Sequence, residues 1–297
     1  MGQTDLDRTA PATVRLNGAD GLRLTADVWG HKGAPKVLML HGGGQTRHSW
    51  KATGGLLAQQ GFQVVALDSR GHGDSDWSPQ KHYGFERNRD DVLAVLDQVG
   101  GPVIIIGASM GGLTGILVAE EAGPERVRGL ALVDIVPRFE TRGGDRVGEF
   151  MRGAPEGFSS LQEAADAIAA YLPHRPRPKS TEGLRRNLRL REDGRWHWHW
   201  DPAMMANPPK GDPIAYMASL EKKASSLTIP VMLLHGKLSD VVTDEGVGRF
   251  RAAVPGLEVV SLPGVAHTAA GDDNDAFTRA VEDFCARLLG TDRTRPS

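Results

Sequence analysis

The chain has little cysteine and no long hydrophobic segment. Its 297 residues include one cysteine, Cys285, so no disulfide can form within the chain. None of its apolar runs approaches the roughly 20 residues of a membrane-spanning helix, and residues 1–8 carry no hydrophobic stretch typical of a secretory leader. We therefore expect a cytoplasmic protein in which Cys285 is a small buried residue of the amphipathic segment 277–289.

The chain also lacks an excess of charge of either sign. It has 35 basic and 37 acidic residues, and this balance gives no overall field to attract nucleic acid or an anionic membrane. The locally basic segment 175–195 is interpreted as a solvated surface. Because 40% of the residues are hydrophobic, the chain can bury a large core. The composition favours a globular enzyme with a small-molecule substrate and leaves the oligomeric state open.

Short apolar runs alternate with helical patterns along most of the chain. The runs that predict strands are residues 22–28, 36–40, 63–67, 103–106, 127–133, 231–234 and 258–262. Strands that alternate with helices predict an α/β fold with a mostly parallel sheet flanked by helices on both faces. The runs near Val14 and Leu22 are separated only by turn residues, so they predict an antiparallel hairpin at the start.

The alternation stops between about Pro137 and Ser226. So long an interruption after the sixth strand predicts a helical insertion over the sheet rather than a loose loop. We call residues 137–226 the cap segment and predict that residues 1–136 and 227–297 form the core domain. Within the cap segment, Trp196, Trp198 and Trp200 alternate with other residues. They are candidates for an aromatic wall over a substrate, with packing of the cap as the alternative.

The most informative motif is the G-x-S-x-G of residues 107–111. An apolar run, 103–106, leads into it, and a helical pattern, 113–120, follows it. This order of strand, tight turn and helix predicts a strained turn that exposes the hydroxyl of Ser109 above the sheet edge. Ser109 is therefore the candidate nucleophile.

A serine nucleophile needs a base and an acid, and both must come from loops at the carboxyl ends of the strands. His267 follows the last predicted strand and is the candidate base. Asp240 follows the preceding strand and is the candidate acid, because it comes directly before the strand and helix pair that carries the base. Asp134, which also ends a strand, is the alternative.

The oxyanion site is predicted in the glycine-rich residues 41–44, which follow the third strand. Glycines let backbone N–H groups approach an anionic oxygen closely. We choose Gly43 as one donor, with Gly44 as the alternative or as part of the substrate pocket, and Met110, which follows the nucleophile, as the other. His41 is expected to hold the loop by hydrogen bonding. Trp50 either lines the acyl pocket or packs the following helix.

The sequence predicts no metal and no cofactor. His197 and His199 are two residues apart and could share one face of a strand, but no third ligand is visible beside them. The acidic residues Asp272, Asp273 and Asp275 precede a predicted terminal helix, where carboxylates normally act as caps. No G-K-[ST] follows the glycine-rich loops, so a phosphate-binding P-loop is excluded.

Together these motifs resemble the α/β-hydrolase superfamily. The resemblance rests on H-G-G-G at 41–44, D-S-R-G-H-G-D-S at 68–75, G-A-S-M-G-G at 107–112, S-D at 239–240 and G-V-A-H at 264–267. It covers residues 22–289 and is closest to the capped branch with a serine nucleophile, which includes esterases, cofactor-free haloperoxidases and carbon–carbon bond hydrolases. The related epoxide hydrolases and haloalkane dehalogenases carry Asp where this chain has Ser109.

The serine restricts the chemistry. A carboxylate that attacks a saturated carbon forms an ester that water can cleave, whereas a serine would form a stable ether. Ser109 therefore implies attack on an acyl carbon, and we expect a serine hydrolase that cleaves an ester or related acyl bond of a small hydrophobic substrate through an acyl-enzyme. Carbon–carbon bond hydrolysis and perhydrolysis with the same triad are alternatives. A relative that binds a ligand without turnover is a further alternative, which the intact triad argues against.

Overall fold

The computed structural model describes residues 10–172, 180–206, 211–265 and 275–288. Its main sheet has eight strands in the order β1-β2-β4-β3-β5-β6-β9-β10, and a separate hairpin joins β7 and β8. The strands are Ala12–Asn17 (β1), Arg23–Trp29 (β2), Lys36–Leu40 (β3), Gln63–Leu67 (β4), Val103–Ala108 (β5), Val127–Val133 (β6), Leu188–Leu190 (β7), Trp196–Trp198 (β8), Val231–Gly236 (β9) and Glu258–Leu262 (β10).

Most of the main sheet is parallel. β1 and β2 form the predicted antiparallel hairpin, and β2 also runs antiparallel to β4. All the other neighbouring pairs, from β4 to β10, are parallel. The prediction of a mostly parallel α/β sheet is confirmed. The carboxyl ends of β3, β5, β6, β9 and β10 therefore meet at one edge, which is where the candidate site residues were expected.

Helices cover both faces of the sheet. They are Lys51–Gln59 (α1), Phe85–Val99 (α2), Met110–Ala122 (α3), Thr141–Arg152 (α4), Leu161–Tyr171 (α5), Ala203–Ala206 (α6), Pro213–Ser225 (α7), Asp244–Ala253 (α8) and Asp275–Leu288 (α9). Among the residues described, no helix is both long and apolar enough to cross a lipid bilayer.

Successive side chains along each strand point to opposite faces of the sheet and pack in two separate cores. In β5, Ile105 packs with the cluster under α2, α3, α7 and α8, while Ile104 and Ile106 pack with the cluster under α1 and α9. Both faces are apolar because both are covered, as expected of a parallel sheet with helices on each side. Cys285 of α9 is fully buried in the second cluster, as predicted.

The cap segment connects β6 to β9 and contains α4 to α7 and the β7–β8 hairpin. A third apolar cluster lies within it, centred on Met151, Phe158, Ala164, Leu188, Trp198 and Trp200. Leu220 and Ala224 of α7 instead join the core cluster that contains α3. The aromatic residues of the cap therefore pack mainly on one another over the sheet edge, whereas α7 packs with the core.

Candidate active site

Ser109 lies in the tight turn between β5 and α3. Its backbone has φ 46 and ψ -115, a left-handed conformation that is strained for a residue with a side chain. A Cβ at Gly107 would overlap the carbonyl oxygen of Gly111, and a Cβ at Gly111 would overlap that of Leu40. The turn can form only because both positions are glycine. It directs Ser109 into the cavity between the sheet edge and the cap segment.

The loop after β3 lies directly beside the serine. A Cβ placed on Gly42 would lie 3.3 Å from the Cβ of Ser109. The Gly42 amide donates to Gln45 Oε1 at 3.0 Å, and its carbonyl accepts the Gln45 amide at 3.1 Å. These two bonds close residues 42–45 into a tight turn around Gly43.

Hydrogen bonding distinguishes the three glycine amides of this loop. The Gly42 amide is bound to Gln45, and the Gly44 amide donates to His72 Nε2 at 3.2 Å. Across the described part of the chain, the Gly43 amide has no hydrogen-bond acceptor. Met110 begins α3, where the amides of the first turn have no intrahelical acceptor. The amides of Gly43 and Met110, the predicted pair, are thus both without an acceptor among the described residues, and they stay the candidate oxyanion donors.

Three buried histidines lie beneath this loop. The rings of His41 and His72 are 4.9 Å apart, and those of His72 and His199 are 5.9 Å apart. His41 Nε2 accepts the amide of Ser69 at 3.0 Å, and its Nδ1 donates to the Gly42 carbonyl at 2.8 Å. His41 thus holds the loop, as the sequence predicted.

His72 and His199 bind Gly44 from two sides. His72 Nε2 accepts the Gly44 amide, and His199 Nε2 lies 3.4 Å from the Gly44 carbonyl. The opposite nitrogens bind the 68–75 turn: His72 Nδ1 contacts the Arg70 carbonyl at 3.2 Å, and His199 Nδ1 accepts the Gly73 amide at 2.7 Å. Since a backbone N–H can only donate, the nitrogen it meets carries no proton, and both rings are neutral.

Burial keeps these imidazoles neutral. It lowers the pKa of His41 and, together with the neighbouring His41 and His199, lowers the pKa of His72 well below its ordinary value. Burial also lowers the pKa of His199 to about 3. A charged imidazole in this site would lose its hydration and at least one acceptor for a backbone amide.

A cavity of about 130 Å³ adjoins Ser109. Its wall is mainly apolar, and its polar side chains, besides Ser109, are Gln45, Tyr171 and Asn187. The residues that line it are Gly42, Gly43, Gly44, Gln45, Ala108, Ser109, Val147, Phe150, Ile168, Tyr171, Leu172, Asn187 and Trp198. No Arg, Lys, Asp or Glu belongs to this described lining.

The four tryptophans predicted as pocket residues have different environments. Trp198 lines the cavity, and Trp200 packs behind Gly44, with its Nε1 donating to the Met151 carbonyl at 3.1 Å. Trp196 is only partly buried and stacks with Arg185. Trp50 is completely buried in the core against Phe277, so it packs the helix layer and is not among the residues that line the cavity.

Trp198 also borders a second cavity, of about 360 Å³, on the side of the cap that faces Met151, Trp200 and Met205. The rings of Trp198 and Trp200 are stacked at 4.7 Å. Trp198 therefore forms a wall between the cavity beside Ser109 and a larger one within the cap segment.

The two candidate acids have opposite environments. Asp134 directly follows β6, is fully buried, has φ 49, and accepts the Gly236 amide at 2.9 Å. The amide of Ser109 donates to the carbonyl of Val133, so Asp134 directly follows a residue bound to the nucleophile. Asp240 is 47% exposed and forms an ion pair of 2.7 Å with Arg146 of α4.

The predicted base, His267, lies outside the described residues, as do Asp272 and Asp273. Asp275 is the first residue of α9. His197 and His199 were considered as a pair of metal ligands. His197 binds Asp193 at 2.7 Å, whereas His199 binds the 68–75 turn. The structure therefore separates the two histidines, and within the described ranges no group of three His, Cys, Asp or Glu side chains is arranged for a metal ion.

Sequence reasoning missed the contacts that His72 and His199 make with Gly44, and the cavity residues Phe150, Tyr171 and Asn187. Of these residues, only His72 was marked in the sequence, because it lies in the 68–75 motif that supported the resemblance to a known family. The cap residues gave none, since their approach to the sheet edge depends on tertiary packing.

Comparisons with known proteins show the family of the chain. A family model described as the alpha/beta hydrolase fold matches residues 35–273. Esterase Rv0045c of Mycobacterium tuberculosis is 31% identical over 263 residues, which are 85% of this chain and 83% of the esterase. A solved structure of that esterase has a TM-score of 0.71 at 28% identity and covers 95% of this chain and 92% of its own.

Two other known proteins also match this chain over most of its length. The crystal structure of an alpha/beta hydrolase from Novosphingobium aromaticivorans has a TM-score of 0.77 at 25% identity, covering 95% of this chain and 98% of that one. A 2-(acetamidomethylene)succinate hydrolase from Mesorhizobium japonicum is 25% identical over 268 residues, 88% of this chain and 92% of that protein.

Proposed function

The chain belongs to the α/β-hydrolase family, and from this premise we propose that it is a serine esterase for small, uncharged esters with short acyl groups. The observation that carries the proposal is the position of Ser109, strained at the sheet edge beside the Gly43 amide and open to an apolar cavity. The similarity to an esterase over most of both chains supports the same activity.

The volume of the cavity limits the acyl group. An apolar protein cavity of about 150 Å³ holds a benzene molecule, so a cavity of about 130 Å³ accommodates about five or six heavy atoms. The apolar lining favours an acyl chain over a polar group, and the described wall offers no cation for a carboxylate. Acetyl to butyryl esters therefore fit best, while Gln45, Asn187 and Tyr171 provide hydrogen bonds for polar atoms of the substrate.

We assign the steps of the reaction to residues as follows. Ser109 Oγ attacks the ester carbonyl while His267 accepts its proton, and the amides of Gly43 and Met110 stabilise the oxyanion. Collapse of the tetrahedral intermediate breaks the bond to the alkoxy group, which takes the proton from His267 and leaves. His267 then takes a proton from water as its oxygen attacks the acyl-enzyme, and when the second tetrahedral intermediate collapses, Ser109 Oγ takes that proton back from His267 and the acid product leaves.

We propose Asp134, rather than Asp240, as the acid that orients His267. Asp134 directly follows β6, the strand next to the β5 that leads to Ser109, whereas Asp240 follows β9, one strand further away. Its burial leaves the carboxylate little competition from water, as the acid of such a triad requires. Asp240 is half exposed, and its charge is paired with Arg146.

A panel of p-nitrophenyl esters tests the proposal. We expect kcat/KM to be highest for acetate to butyrate and to fall at octanoate, and Ser109→Ala to abolish turnover. The hydrogen succinate ester has an acyl group with as many heavy atoms as the hexanoyl group but carries a carboxylate, so the hexanoate is its matched control for charge, and the succinate ester should be the poorer substrate of the two. If the succinate ester were preferred, the substrate would be anionic, like the one for which the Mesorhizobium relative is named.

The alternative chemistries are distinguished by their products. Carbon–carbon bond hydrolysis would release a ketone and an acid from a β-diketone, and perhydrolysis would form a peracid when hydrogen peroxide is present. Turnover of either kind that exceeds hydrolysis of the butyrate ester would overturn the ester proposal while leaving the triad in place.

A further inference from the structure

We propose that His199, a residue of the cap segment, positions the oxyanion-hole loop by binding Gly44 together with His72. The proposal depends on the proposed function, because it assigns a role in holding the Gly43 amide that would stabilise the oxyanion. It makes the cap segment part of the machinery that stabilises the transition state, in addition to a cover for the substrate.

The first step is the restraint on Gly44. This residue has φ 72, in the left-handed region, and a glycine there is free to change conformation unless its polar groups are held. His72 accepts its amide at 3.2 Å, and His199 Nε2 faces its carbonyl at 3.4 Å. Trp200 packs within van der Waals reach behind it. Both peptide groups that flank the Gly44 Cα are therefore restrained by histidines.

The second step is the connection to the Gly43 amide. The Gly42 carbonyl belongs to the same peptide group as that amide, and it accepts both His41 Nδ1–H and the Gln45 amide. A carbonyl and an N–H of one peptide point in opposite directions, so these bonds direct the Gly43 N–H away from His41. The peptide before Gly43 is held by His41, and the one after it by His72.

The third step is the dependence on the cap. His199 Nδ1 accepts the Gly73 amide at 2.7 Å, the shortest contact of the three-histidine group. This bond holds the 68–75 turn, which carries His72, against the cap segment. Removal of the imidazole would release the Gly44 carbonyl, while His72 would still accept the Gly44 amide.

Simple anchoring of the cap is the competing explanation, and Arg189 provides the comparison. Arg189 of β7 donates to the Gly73 carbonyl at 3.2 Å and to Asp74 Oδ1 at 2.6 Å, and among the described residues none of its hydrogen bonds goes to Gly44. It ties the same cap segment to the same turn. If anchoring alone mattered, loss of Arg189 and loss of His199 would have the same effect on catalysis.

The experiment compares His199→Gln with His199→Asn. The Gln amide can reach the place of Nε2 and donate to Gly44, whereas the shorter Asn can replace only Nδ1 as the acceptor for Gly73. We expect kcat to fall about 10- to 100-fold in the Asn variant, with KM little changed, because a displaced oxyanion donor weakens transition-state binding. The Gln variant should retain most of kcat.

A tetrahedral inhibitor gives a readout that an anchoring role would not move. Butylboronic acid forms a tetrahedral adduct with an active serine, so its Ki should rise in the Asn variant by the same factor by which kcat/KM falls. Arg189→Gln should lower the thermal midpoint without changing Ki. His197 is two residues from His199, and its side chain binds Asp193, so His197→Gln should change neither.

Equal effects of the Gln and Asn substitutions, or a rise in KM at constant kcat, would overturn the proposal. If the Asn variant does not fold, the pair His72→Gln and His72→Asn repeats the test, because only Gln can place an oxygen where Nε2 accepts the Gly44 amide. Labelling of Ser109 by a fluorophosphonate in the wild type is the separate check of the proposed function, so the two proposals can fail independently.

Discussion

The buried His199 predicts how the stability of the protein depends on pH. In the folded chain its pKa is about 3, because burial disfavours the imidazolium, whereas its ordinary value is 6.5. Below pH 6.5 the unfolded chain therefore binds more protons than the folded chain at this site. The free energy of unfolding should fall as the pH falls, and the loss should level off only near pH 3.

The magnitude follows from the two pKa values. Between pH 7.5 and pH 5 the unfolded imidazole becomes almost fully protonated while the folded one stays neutral, and this difference lowers the stability by about 2 kcal/mol. The result depends little on the folded value, since any pKa well below 5 gives the same loss. His199→Gln removes the titrating group, so the stability of that variant lacks this component.

Urea unfolding, followed by tryptophan fluorescence at pH 7.5, 6 and 5, measures the effect. The stability of the wild type minus that of His199→Gln should shrink by about 2 kcal/mol from pH 7.5 to pH 5. Because neither amide titrates, His199→Asn should show the same pH dependence of stability as His199→Gln. The activities of the two variants are expected to differ. A difference that is constant across this range would refute the buried neutral imidazole.

Two further predictions concern the acid and the cavity wall. Asp134→Asn should lower kcat by as much as about 10⁴-fold, which is the effect of the corresponding change in a serine protease. Asp240→Asn should lower kcat less than tenfold. If steady-state kinetics show the reverse order, Asp240 is the acid. Trp198→Ala should join the two cavities and move the preferred p-nitrophenyl ester from butyrate towards octanoate, whereas Trp196→Ala should leave the preference unchanged. If the Trp198 variant ranks the esters as the wild type does, the ring only packs the cap.

The fold could be predicted because its signals are local. Each strand of the main sheet from β2 onwards follows an apolar run read from the sequence, and glycine chemistry alone explains the turn at Ser109. The glycine-rich loop proposed to bind the oxyanion could also be located, since Gly42, Gly43 and Gly44 follow a strand, whereas the hydrogen bonds that distinguish their amides required the structure. The position of His267 stays a prediction.

The choice between Asp134 and Asp240 could not be made from sequence. Both residues follow strands of the sheet, and position along the chain favoured Asp240. What separates them is tertiary: Arg146, 94 residues away from Asp240 in the chain, pairs with it at the surface. The burial of Asp134 depends equally on β9, whose last residue, Gly236, donates to its carboxylate.

The different environments of the three cap tryptophans also depend on tertiary structure. Trp196, Trp198 and Trp200 alternate as if on one face of a strand, but β8 ends at Trp198. Only Trp198 lines the cavity beside Ser109, and the change in chain direction takes Trp200 behind Gly44. The same change separates His199, which is buried, from His197, which binds Asp193 near the surface.

The most direct test of the account is the mass of the protein after reaction with a fluorophosphonate. The wild type should gain one adduct, peptide mapping should locate it on Ser109, and prior incubation with butylboronic acid should slow its formation. Ser109→Ala should gain no adduct and hydrolyse no p-nitrophenyl butyrate. An adduct on another residue, together with a fully active Ser109→Ala variant, would contradict the assignment of Ser109 as the nucleophile and with it the proposed esterase.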